Sequence, residues 1–421
     1  MSSRIRWIFF VGLGTLIIAL GIFSVGVAVG RAYSELGGEL GDLTIPFTPS
    51  TTPPPTRTTI PISTPSEDVE TLFEPFWAAW EIIHDEYVDQ PVDDLEMMRG
   101  AIRGMLEALG DEHTAYMDPD EYLQANIPLE GSYEGIGSWV DPDAEYLTIV
   151  SPMPGSPAEK AGLKPGDEIF AVDGEDMTGV DGNLVIRRVL GPAGTTVRLT
   201  IRREGESELL EFEIIRERIT LPSVESEMLA GDIAYIHLYT FGTDTTDDLR
   251  TTLETLLAQN PQGLILDLRL NGGGFLTTAI EIASEFIPEG VIMTEQFGDG
   301  KKQNYEAEPG GLATEIPLVV LINGGSASAS EIVAGAIQDY DRGLLVGETT
   351  FGKGSVQNWI PLPQGSGALR VTIARWYTPD GRQIHQIGLT PDVEIIPTDE
   401  DLEADRDIQL ETAIELLITG G

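Results

Sequence analysis

Two strand-like segments in the second half of the chain each run into a glycine-rich turn and then into a helix-like segment. LILDLRL at 264–270 precedes NGGG, and PLVVLIN at 317–323 precedes GGSASAS. A third apolar segment, GLLVG, follows at 343–347. Alternation of buried strands with helices predicts an α/β fold with a substantially parallel sheet. Because ligands of such sheets bind beyond the carboxyl ends of the strands, both glycine turns mark a candidate site.

The first half of the chain has two other patterns. From Val69 to about residue 125, apolar residues recur at three- and four-residue steps, which predicts helices whose apolar stripe is mostly core. Between residues 131 and 218, short β-type segments such as YLTIV and TVRLTI alternate with the turn signals PGSP and KPGD. This second pattern predicts a compact, mostly β module.

The apolar stripe of the predicted helical region that begins at Val69 consists of Phe73, Phe76, Trp77, Trp80 and Ile83.

Composition excludes several classes of function. The formal net charge of −44 repels phosphate backbones, so nucleic acid is not an expected partner. The chain has no cysteine, which rules out disulfides and thiolate metal sites. Its histidines lie far apart without the spacing of metal ligands, so we expect no metal site. They are His84, His113, His237 and His385.

The N-terminus carries an uncharged apolar segment of 24 residues, from Trp7 to Gly30. As a helix it would be about 36 Å long, enough for a hydrocarbon core of ~30 Å. Arg4 and Arg6 precede it, so the positive-inside rule predicts a single-pass anchor in the cell membrane with the rest of the chain extracytoplasmic. The alternative is a signal peptide that is cleaved near AVG at 28–30, which would make the protein secreted. The Pro-, Thr- and Ser-rich stretch 44–68 predicts an extended spacer.

The stretch GETTFGKGSVQ at 347–357 is close to the pattern of a phosphate-binding loop. Such a loop needs a helix after its lysine, whereas the residues after Lys353 contain prolines and glycines and end in a β-type run. Position 354 is also glycine instead of a Mg²⁺-binding hydroxyl residue. A nucleotide-dependent enzyme is therefore disfavoured. A lysine that burial keeps neutral can instead act as a base, and the small and apolar neighbours of Lys353 suit that role.

The stretch GGSASASEI at 324–332 follows a buried strand and opens a helix, where backbone amides can stabilise an oxyanion. A serine hydroxyl needs a base to become a nucleophile. His237 and His385 have no obvious acidic partner, and Lys353 is the alternative base. Alone, such a serine is more often a helix cap and such a glycine a turn. Their joint occurrence in one α/β domain favours a serine–lysine site.

These residues resemble the carboxyl-terminal processing peptidases, also called tail-specific proteases. The resemblance extends over nearly all of residues 70–396. Upstream, SPAEKAGLKPGDEIFAVDG at 156–174 resembles a PDZ domain, and GAIRGMLEALGDEHTAYMDPDEY at 100–122 resembles the N-terminal helical segment of the family. The matches in the catalytic part are DLRLNGGG at 267–274, NGGSASASEIVAGAIQD at 323–339, VGETTFGKGSVQ at 346–357 and GLTPDVEI at 388–395.

The resemblance implies a serine endopeptidase that needs no metal or cofactor. Ser328 would be the nucleophile, Lys353 its general base, and Gln357 the residue that orients the lysine amine. Ala329 would give one amide of the oxyanion hole. A glycine of the 272–274 cluster would give the other, and we choose Gly273.

The resemblance also assigns selectivity to the β module. The backbone amides of Gly135, Ile136 and Gly137 would receive the terminal carboxylate of a peptide, which adds as a strand to the sheet edge. Ile136 and Leu184 suggest a preference for an apolar C-terminal residue. Relatives whose PDZ domain switches the protease on commonly have arginine where this chain has Leu190, although two further arginines, at 187 and 188, lie close by.

The implied architecture is a crotonase/ClpP-like α/β protease core with an inserted PDZ domain, an N-terminal helical segment and an N-terminal transmembrane helix. The expected partners are protein or peptide substrates with a free C-terminus, and amphipathic ends such as LETAIELLI at 410–418 would suit a homodimer. The competing hypothesis is a PDZ-type scaffold with an inactive protease domain. The expected divisions are an anchor (1–33), a linker (34–68), a helical region (69–126), the PDZ domain (127–218), the protease core (219–396) and a C-terminal helical segment (397–421).

Overall fold

The computed structural model describes residues 67–398, 400–401, 404 and 406–419. The predicted membrane span and nearly all of the predicted spacer lie outside these residues. Within the described part of the chain, no helix combines the length and the apolar character needed to cross a membrane. The chain divides between Leu109 and Gly110 into two compact units.

The described part of the first unit consists of two helices, α1 (Glu67–Glu86) and α2 (Asp94–Glu107). The Asp93 carboxylate accepts hydrogen bonds from two N–H groups of the first turn of α2, so the helix begins there. The apolar stripe on α1 is largely exposed, with 58% of Trp77 and 42% of Phe73 accessible to solvent. The prediction that most of this stripe is core is therefore wrong. The two helices do not bury it between them, and α2 also leaves Met105 exposed.

The second unit begins with a short strand, β1 (Ala115–Met117), and helix α3 (Pro119–Glu130). Asp118 and Glu121 form a reciprocal capping box at the start of α3. A mostly β module follows, with a two-stranded ribbon and a six-stranded sheet around a core that includes Ile149, Leu199 and Ile201. Its elements are β2 (Ser132–Gly135), β3 (Ser138–Asp141), β4 (Thr148–Pro152), α4 (Pro157–Ala161), β5 (Glu168–Val172), β6 (Glu175–Asp176), α5 (Gly182–Val189), β7 (Thr196–Arg202), β8 (Leu210–Ile215) and β9 (Glu217–Thr220).

The centre of the second unit is a six-stranded sheet in the order β10-β11-β12-β15-β16-β19. All neighbouring pairs are parallel except the antiparallel edge pair β10 and β11. The predicted parallel sheet is thus confirmed. Its elements and their connections are β10 (Val224–Leu229), β11 (Ile233–Leu238), α6 (Thr245–Leu257), β12 (Gly263–Asp267), α7 (Leu276–Ser284), β15 (Leu318–Ile322), α8 (Ala329–Asp339), β16 (Leu344–Gly347) and β19 (Val393–Glu394).

Strands β12 and β15 are apolar without alternation because both faces of this sheet are covered. Helices α6, α7 and α8 pack on one face, where Ile236, Leu266 and Val320 belong to the main core cluster. The C-terminal helix α9 (Ile408–Thr419) covers the other face with Ala413 and its neighbours. The segment LETAIELLI therefore contributes to the core of this unit.

A second, antiparallel sheet has the order β1-β18-β13-β14, with β17 also paired to β18. In this sheet β1 lies beside β18, with Ala115 opposite Arg370. A segment that precedes the β module thus adds a strand to the C-terminal part of the unit. The further members are β13 (Val291–Phe297), β14 (Lys302–Glu306), β17 (Ser355–Pro361) and β18 (Ala368–Tyr377).

Candidate active site

Three turns meet at the carboxyl edge of the parallel sheet. Strands β12, β15 and β16 are neighbours, so the glycine turn 271–274, the serine turn 323–328 and the lysine loop 348–353 emerge side by side. The Phe351 N–H donates to the Ser326 carbonyl at 3.0 Å, which joins the lysine loop to the serine turn. The topology therefore brings together the segments that the sequence singled out.

Ser328 lies immediately before helix α8, in a strained backbone conformation with φ 55° and ψ −112°. Only 4% of the residue is accessible to solvent. Such a conformation is costly for a residue with a Cβ and persists only where the surroundings enforce it. The surrounding turns therefore enforce an unfavourable backbone conformation at this serine.

The glycine turn packs directly against the serine. A Cβ added to Gly273, whose φ is +103°, would lie 2.9 Å from Ser328 Cβ and 2.9 Å from the Ala329 nitrogen. Glycine is thus required by both conformation and space. The Gly273 N–H donates to Asn271 Oδ1 at 2.9 Å, so it would have to exchange that bond for an oxyanion. Within the described residues, the N–H groups of Gly272 and Ala329 make no hydrogen bond.

Lys353 is almost fully buried, with 1% of the residue exposed. Its carbonyl accepts a hydrogen bond from Trp376 Nε1 at 2.9 Å, which fixes the backbone beneath the side chain. Burial, and then the positive charge of Arg370, lower the pKa of the Lys353 amine well below its ordinary value, while Glu331 acts in the opposite direction. The lysine is followed by strand β17 and not by a helix, which removes the structural basis of a phosphate-binding loop.

Glu331, on the first turn of α8, ties the serine turn to the lysine loop. Its Oε2 accepts the N–H groups of Ser328 and Lys353, each at 2.9 Å. Its Oε1 accepts the Gly352 N–H at 2.7 Å and the Thr350 hydroxyl at 2.5 Å. Burial raises the pKa of the Glu331 carboxyl, and the four hydrogen bonds work against that rise. One buried carboxylate therefore holds the backbones of both candidate catalytic residues.

Gln357 is completely buried on β17. Its side-chain Nε2 donates to Ser355 Oγ at 2.8 Å and to Thr372 Oγ1 at 3.3 Å. Its Oε1 is buried and makes no hydrogen bond within the described part of the chain. The amide oxygen is therefore an open acceptor, as a residue that orients an amine requires.

The residues just before β1 were predicted only as part of the helical region 69–126, yet they border the site. The carbonyl of His113 accepts a hydrogen bond from Arg370 Nε at 2.9 Å, and Thr114 Oγ1 accepts the Thr372 N–H at 3.1 Å. Burial, and then the charge of Lys353, lower the pKa of His113 to about 4. The titratable residues of this segment are visible in the sequence DEHTAYM at 111–117. The sequence does not show that the segment lies beside β18, which only the structure reveals.

The predicted carboxylate loop of the β module is tightly built. A Cβ on Gly137, whose φ is +75°, would lie 2.5 Å from Ser156 Cβ, and the Ile136 carbonyl accepts the Ala158 N–H at 2.8 Å. Leu184, on helix α5, is exposed, as a ligand-contacting residue would be. Ile136 is itself buried in the core of the module.

Three arginine side chains lie near Leu190 in the chain or in space, and each has different partners. Arg187 Nη1 lies 3.9 Å from an Asp118 carboxylate oxygen and 3.7 Å from one of Asp120, and Arg188 pairs with Glu175. The guanidinium at the turn 191–194 comes from Arg216, which donates to the carbonyls of residues 188 and 189. The nearby arginines are thus engaged within this unit.

Comparison with known proteins finds relatives that match most of the chain. The model for "Peptidase family S41" matches residues 232–395, a PDZ-domain model matches 148–203, and "Activating protease CtpB N-terminal domain" matches 58–121. A carboxy-terminal-processing protease of Bartonella bacilliformis is 40% identical over 76% of this chain and 74% of its own length. The chain belongs to peptidase family S41. The predicted resemblance is confirmed, and so is the prediction of a serine peptidase with a PDZ domain.

Further relatives of this S41 peptidase support the assignment. A carboxyl-terminal-processing protease of Synechocystis is 36% identical over 81% of this chain and 82% of the relative. A solved structure titled as an S41 protease from Bacteroides fragilis has a TM-score of 0.51 and 18% identity, and covers 81% of this chain and 97% of that one. The second comparison bears on the fold alone, and it agrees with an α/β protease core.

Proposed function

We propose that this S41 peptidase is an endopeptidase that uses Ser328 as nucleophile and Lys353 as general base. The proposal rests above all on Glu331, which holds the backbone nitrogens of both residues through one carboxylate oxygen. It is also supported by the burial of Lys353, because a desolvated amine is uncharged at a pH where an exposed lysine is protonated.

In the proposed reaction, the neutral Lys353 amine removes the hydroxyl proton of Ser328 as the oxygen attacks a peptide carbonyl. The backbone N–H of Ala329 and one from the glycine turn 272–274 hold the oxyanion. Gly273 remains our choice within the turn, although its N–H first has to leave Asn271. The protonated lysine then gives its proton to the leaving amine, and an acyl-enzyme forms on Ser328.

Water completes the cycle. The Lys353 amine, neutral again after the first product leaves, removes a proton from water as the water oxygen attacks the acyl-enzyme. The protonated lysine then returns a proton to the Ser328 oxygen as the ester bond breaks, which restores the hydroxyl and the neutral amine. Gln357 orients the amine through its open amide oxygen. No step of this scheme requires a metal or cofactor.

We further propose that substrates are proteins or peptides selected through their free C-terminus. Gly135, Ile136 and Gly137 would receive the terminal carboxylate, and the exposed Leu184 would contact an apolar last residue. A family whose relatives are described as carboxy-terminal-processing proteases makes this the natural use of the module.

Casein cleavage by the full-length protein in detergent, beside the Ser328→Ala variant, tests the activity. We expect fragments from the wild type alone, across pH 6–9 for a range of substrate tails. Equal inertness of both proteins would instead favour the PDZ-type scaffold with a silent protease domain.

We also propose that the apolar segment at the N-terminus anchors the peptidase in the cell membrane with its catalytic part extracytoplasmic. The support is the length of the uncharged segment and the two arginines before it. N-terminal sequencing of the mature protein from the membrane fraction should give a sequence that starts before Trp7. A start after residue 30 in the soluble fraction would show a cleaved signal and a secreted enzyme. The homodimer stays a prediction, although residues 410–418 pack in the core of their own unit, and sedimentation equilibrium of the same preparation tests it.

A further inference from the structure

Arg370 lies in the middle of the strands that border the site. It is on β18, opposite Trp359 of β17 on one side and opposite Ala115 of β1 on the other. Strand β17 carries Gln357 and begins two residues after Lys353. Both neighbouring strands therefore fix the backbone of Arg370 relative to the lysine loop.

Alternation along β18 places Arg370 on the face that meets Gln357. Residues 370 and 372 point to the same side of the strand. The Thr372 hydroxyl on that side accepts a hydrogen bond from the Gln357 amide at 3.3 Å. The guanidinium is partly buried, and its Nε donates to the His113 carbonyl at 2.9 Å. A permanent cation is thus held on the sheet face that carries Gln357, the residue proposed to orient the Lys353 amine.

We propose that Arg370 is a positioning residue of the peptidase reaction, which keeps Lys353 in its basic, uncharged form by electrostatic repulsion from a site fixed by the His113 carbonyl. This inference rests on the proposed serine–lysine mechanism. It assigns a catalytic purpose to β1 as well, because the segment that ends in this strand carries the carbonyl that holds the guanidinium.

The charges around the amine support this assignment. Arg370, on β18, lowers the pKa of Lys353, and Glu331, on α8, raises it. His113, in the segment before β1, has its pKa lowered to about 4 by burial and then by the charge of Lys353, and it is therefore neutral above about pH 5. Burial lowers the pKa of Arg370 and the charge of Asp111 raises it, and Asp111 likewise raises the pKa of His113. His385, whose ring centre lies 6.0 Å from that of His113, also has a lowered pKa. Because a guanidinium stays protonated near neutrality, Arg370 still carries its charge at a pH where Lys353 has to be neutral.

The test compares the pH dependence of kcat/KM for a peptide substrate in full-length variants. Arg370→Gln removes the charge but keeps a side-chain donor for the His113 carbonyl. We expect its acidic limb to move to higher pH by about one unit, a loss of roughly tenfold near neutrality that disappears at alkaline pH. Arg370→Lys keeps the charge, so its limb should stay at the wild-type pH whatever its absolute rate.

Arg375 supplies a matched control on the same strand. Its charge acts on His385 and is not among the influences on Lys353. Arg375→Gln should therefore leave the acidic limb where it is. A loss that is equal at every pH in Arg370→Gln, or a shifted limb in Arg370→Lys, would overturn the proposal and leave Arg370 a purely structural role.

A substitute variant and a catalytic control complete the experiment. If Arg370→Gln does not fold, as judged by its thermal melt, Arg370→Met replaces it, and the limb of Arg370→Lys decides if neither neutral variant folds. Lys353→Ala in the same assay separates the two levels of inference. Activity that survives in Lys353→Ala contradicts the serine–lysine mechanism, whereas an inactive Lys353→Ala beside an unshifted Arg370→Gln contradicts only the role of Arg370.

Discussion

Glu331 is the residue on which the geometry of the site depends most. All four of its hydrogen-bond partners donate, which is the arrangement that an ionised carboxylate requires. Thr350 Oγ1 accepts the Leu389 N–H, so its own hydrogen is directed to Glu331. Neither the serine turn nor the lysine loop can move without breaking a charge-assisted hydrogen bond.

We predict that Glu331→Gln lowers both stability and activity. The amide of glutamine would place two hydrogens among groups that only donate, which leaves buried N–H groups unpaired. We expect a loss of about 2–4 kcal/mol in the free energy of unfolding and about 100-fold in kcat/KM. Urea denaturation and peptide cleavage measure the two effects.

Glu281 offers a matched control for this substitution. It is partly buried on α7 and accepts a hydrogen bond from the Thr246 hydroxyl at 2.6 Å, in neither the serine turn nor the lysine loop. Glu281→Gln should lower the free energy of unfolding by less than about 1 kcal/mol and leave kcat/KM unchanged. Similar losses in the two variants would show that Glu331 has no special place in the site.

We predict that Lys353→Met stabilises the fold while it abolishes activity. The pKa of Lys353 is lowered in the folded state, so between that lowered pKa and about pH 10.4 the unfolded chain binds a proton that the folded chain does not. The free energy of unfolding of the wild type therefore decreases as the pH falls through this window. Methionine removes the penalty, and we expect a gain of about 1–3 kcal/mol at pH 7 that shrinks towards pH 10. A constant difference in denaturation midpoints across this range would contradict a desolvated lysine.

At the residue scale, sequence motifs located Ser328 and Lys353 because both lie in glycine-rich turns after recognisable strands. Glu331 was visible in SASASEI, but its four partners come from two loops that only folding brings together. Arg370 was not predictable as a neighbour of the site. It lies in a β-type run without any local sign of chemistry, and its contact with residue 113 spans more than half of the described chain.

At the element scale, the lysine loop is set by close packing against the segment around His385. A Cβ on Gly354 would lie 2.7 Å from the His385 nitrogen and 2.9 Å from its Cα. We predict that Gly354→Ala displaces the lysine loop. The free energy of unfolding should fall by about 1–3 kcal/mol, and kcat/KM should fall at least about tenfold. Thermal unfolding and peptide cleavage are the measurements.

Gly324 is the control for that prediction, since it lies in the serine turn with no atom within 4 Å of an added Cβ. Gly324→Ala should change stability by no more than about 0.5 kcal/mol and retain activity. If the two alanine variants behave alike, steric packing at residue 354 does not set the lysine loop.

The parallel sheet could be predicted from sequence because three of its neighbouring strands, β12, β15 and β16, are mostly apolar and each is followed by a glycine turn or a loop. The place of β1 could not be predicted, because a three-residue strand carries almost no signal and its partner β18 is some 250 residues away. The stripe on α1 was misjudged for a different reason. Periodicity shows that a helix is amphipathic, but it does not show whether anything packs on the apolar side.

At the scale of the whole molecule, the β module contacts the rest of its unit through Arg187, which faces the acidic start of α3. The Gln124 side chain also donates to the Asn183 carbonyl of α5 at 3.5 Å. Since α5 carries the exposed Leu184, a bound peptide tail would touch a helix that contacts α3.

We predict that Gly135→Asp raises KM about tenfold for substrates with a free apolar C-terminus, because a carboxylate would face the terminal carboxylate of the tail. The new side chain would also meet Leu190 Cδ2 at 3.0 Å, so Gly135→Asn serves as the neutral control of similar size. A substrate with an amidated C-terminus should not distinguish the two variants. Equal KM values for Asp and Asn on the free-tail substrate would contradict carboxylate recognition by this loop.

Active-site labelling with a fluorophosphonate, followed by peptide mapping in a mass spectrometer, tests the central claim most directly. We expect the wild type to carry the label on Ser328 and the labelling rate to rise with pH as Lys353 loses its proton. Lys353→Ala should label at least about 100-fold more slowly while its thermal melt stays cooperative. A label on another residue, or an undiminished rate in Lys353→Ala, would contradict a serine activated by a buried neutral lysine.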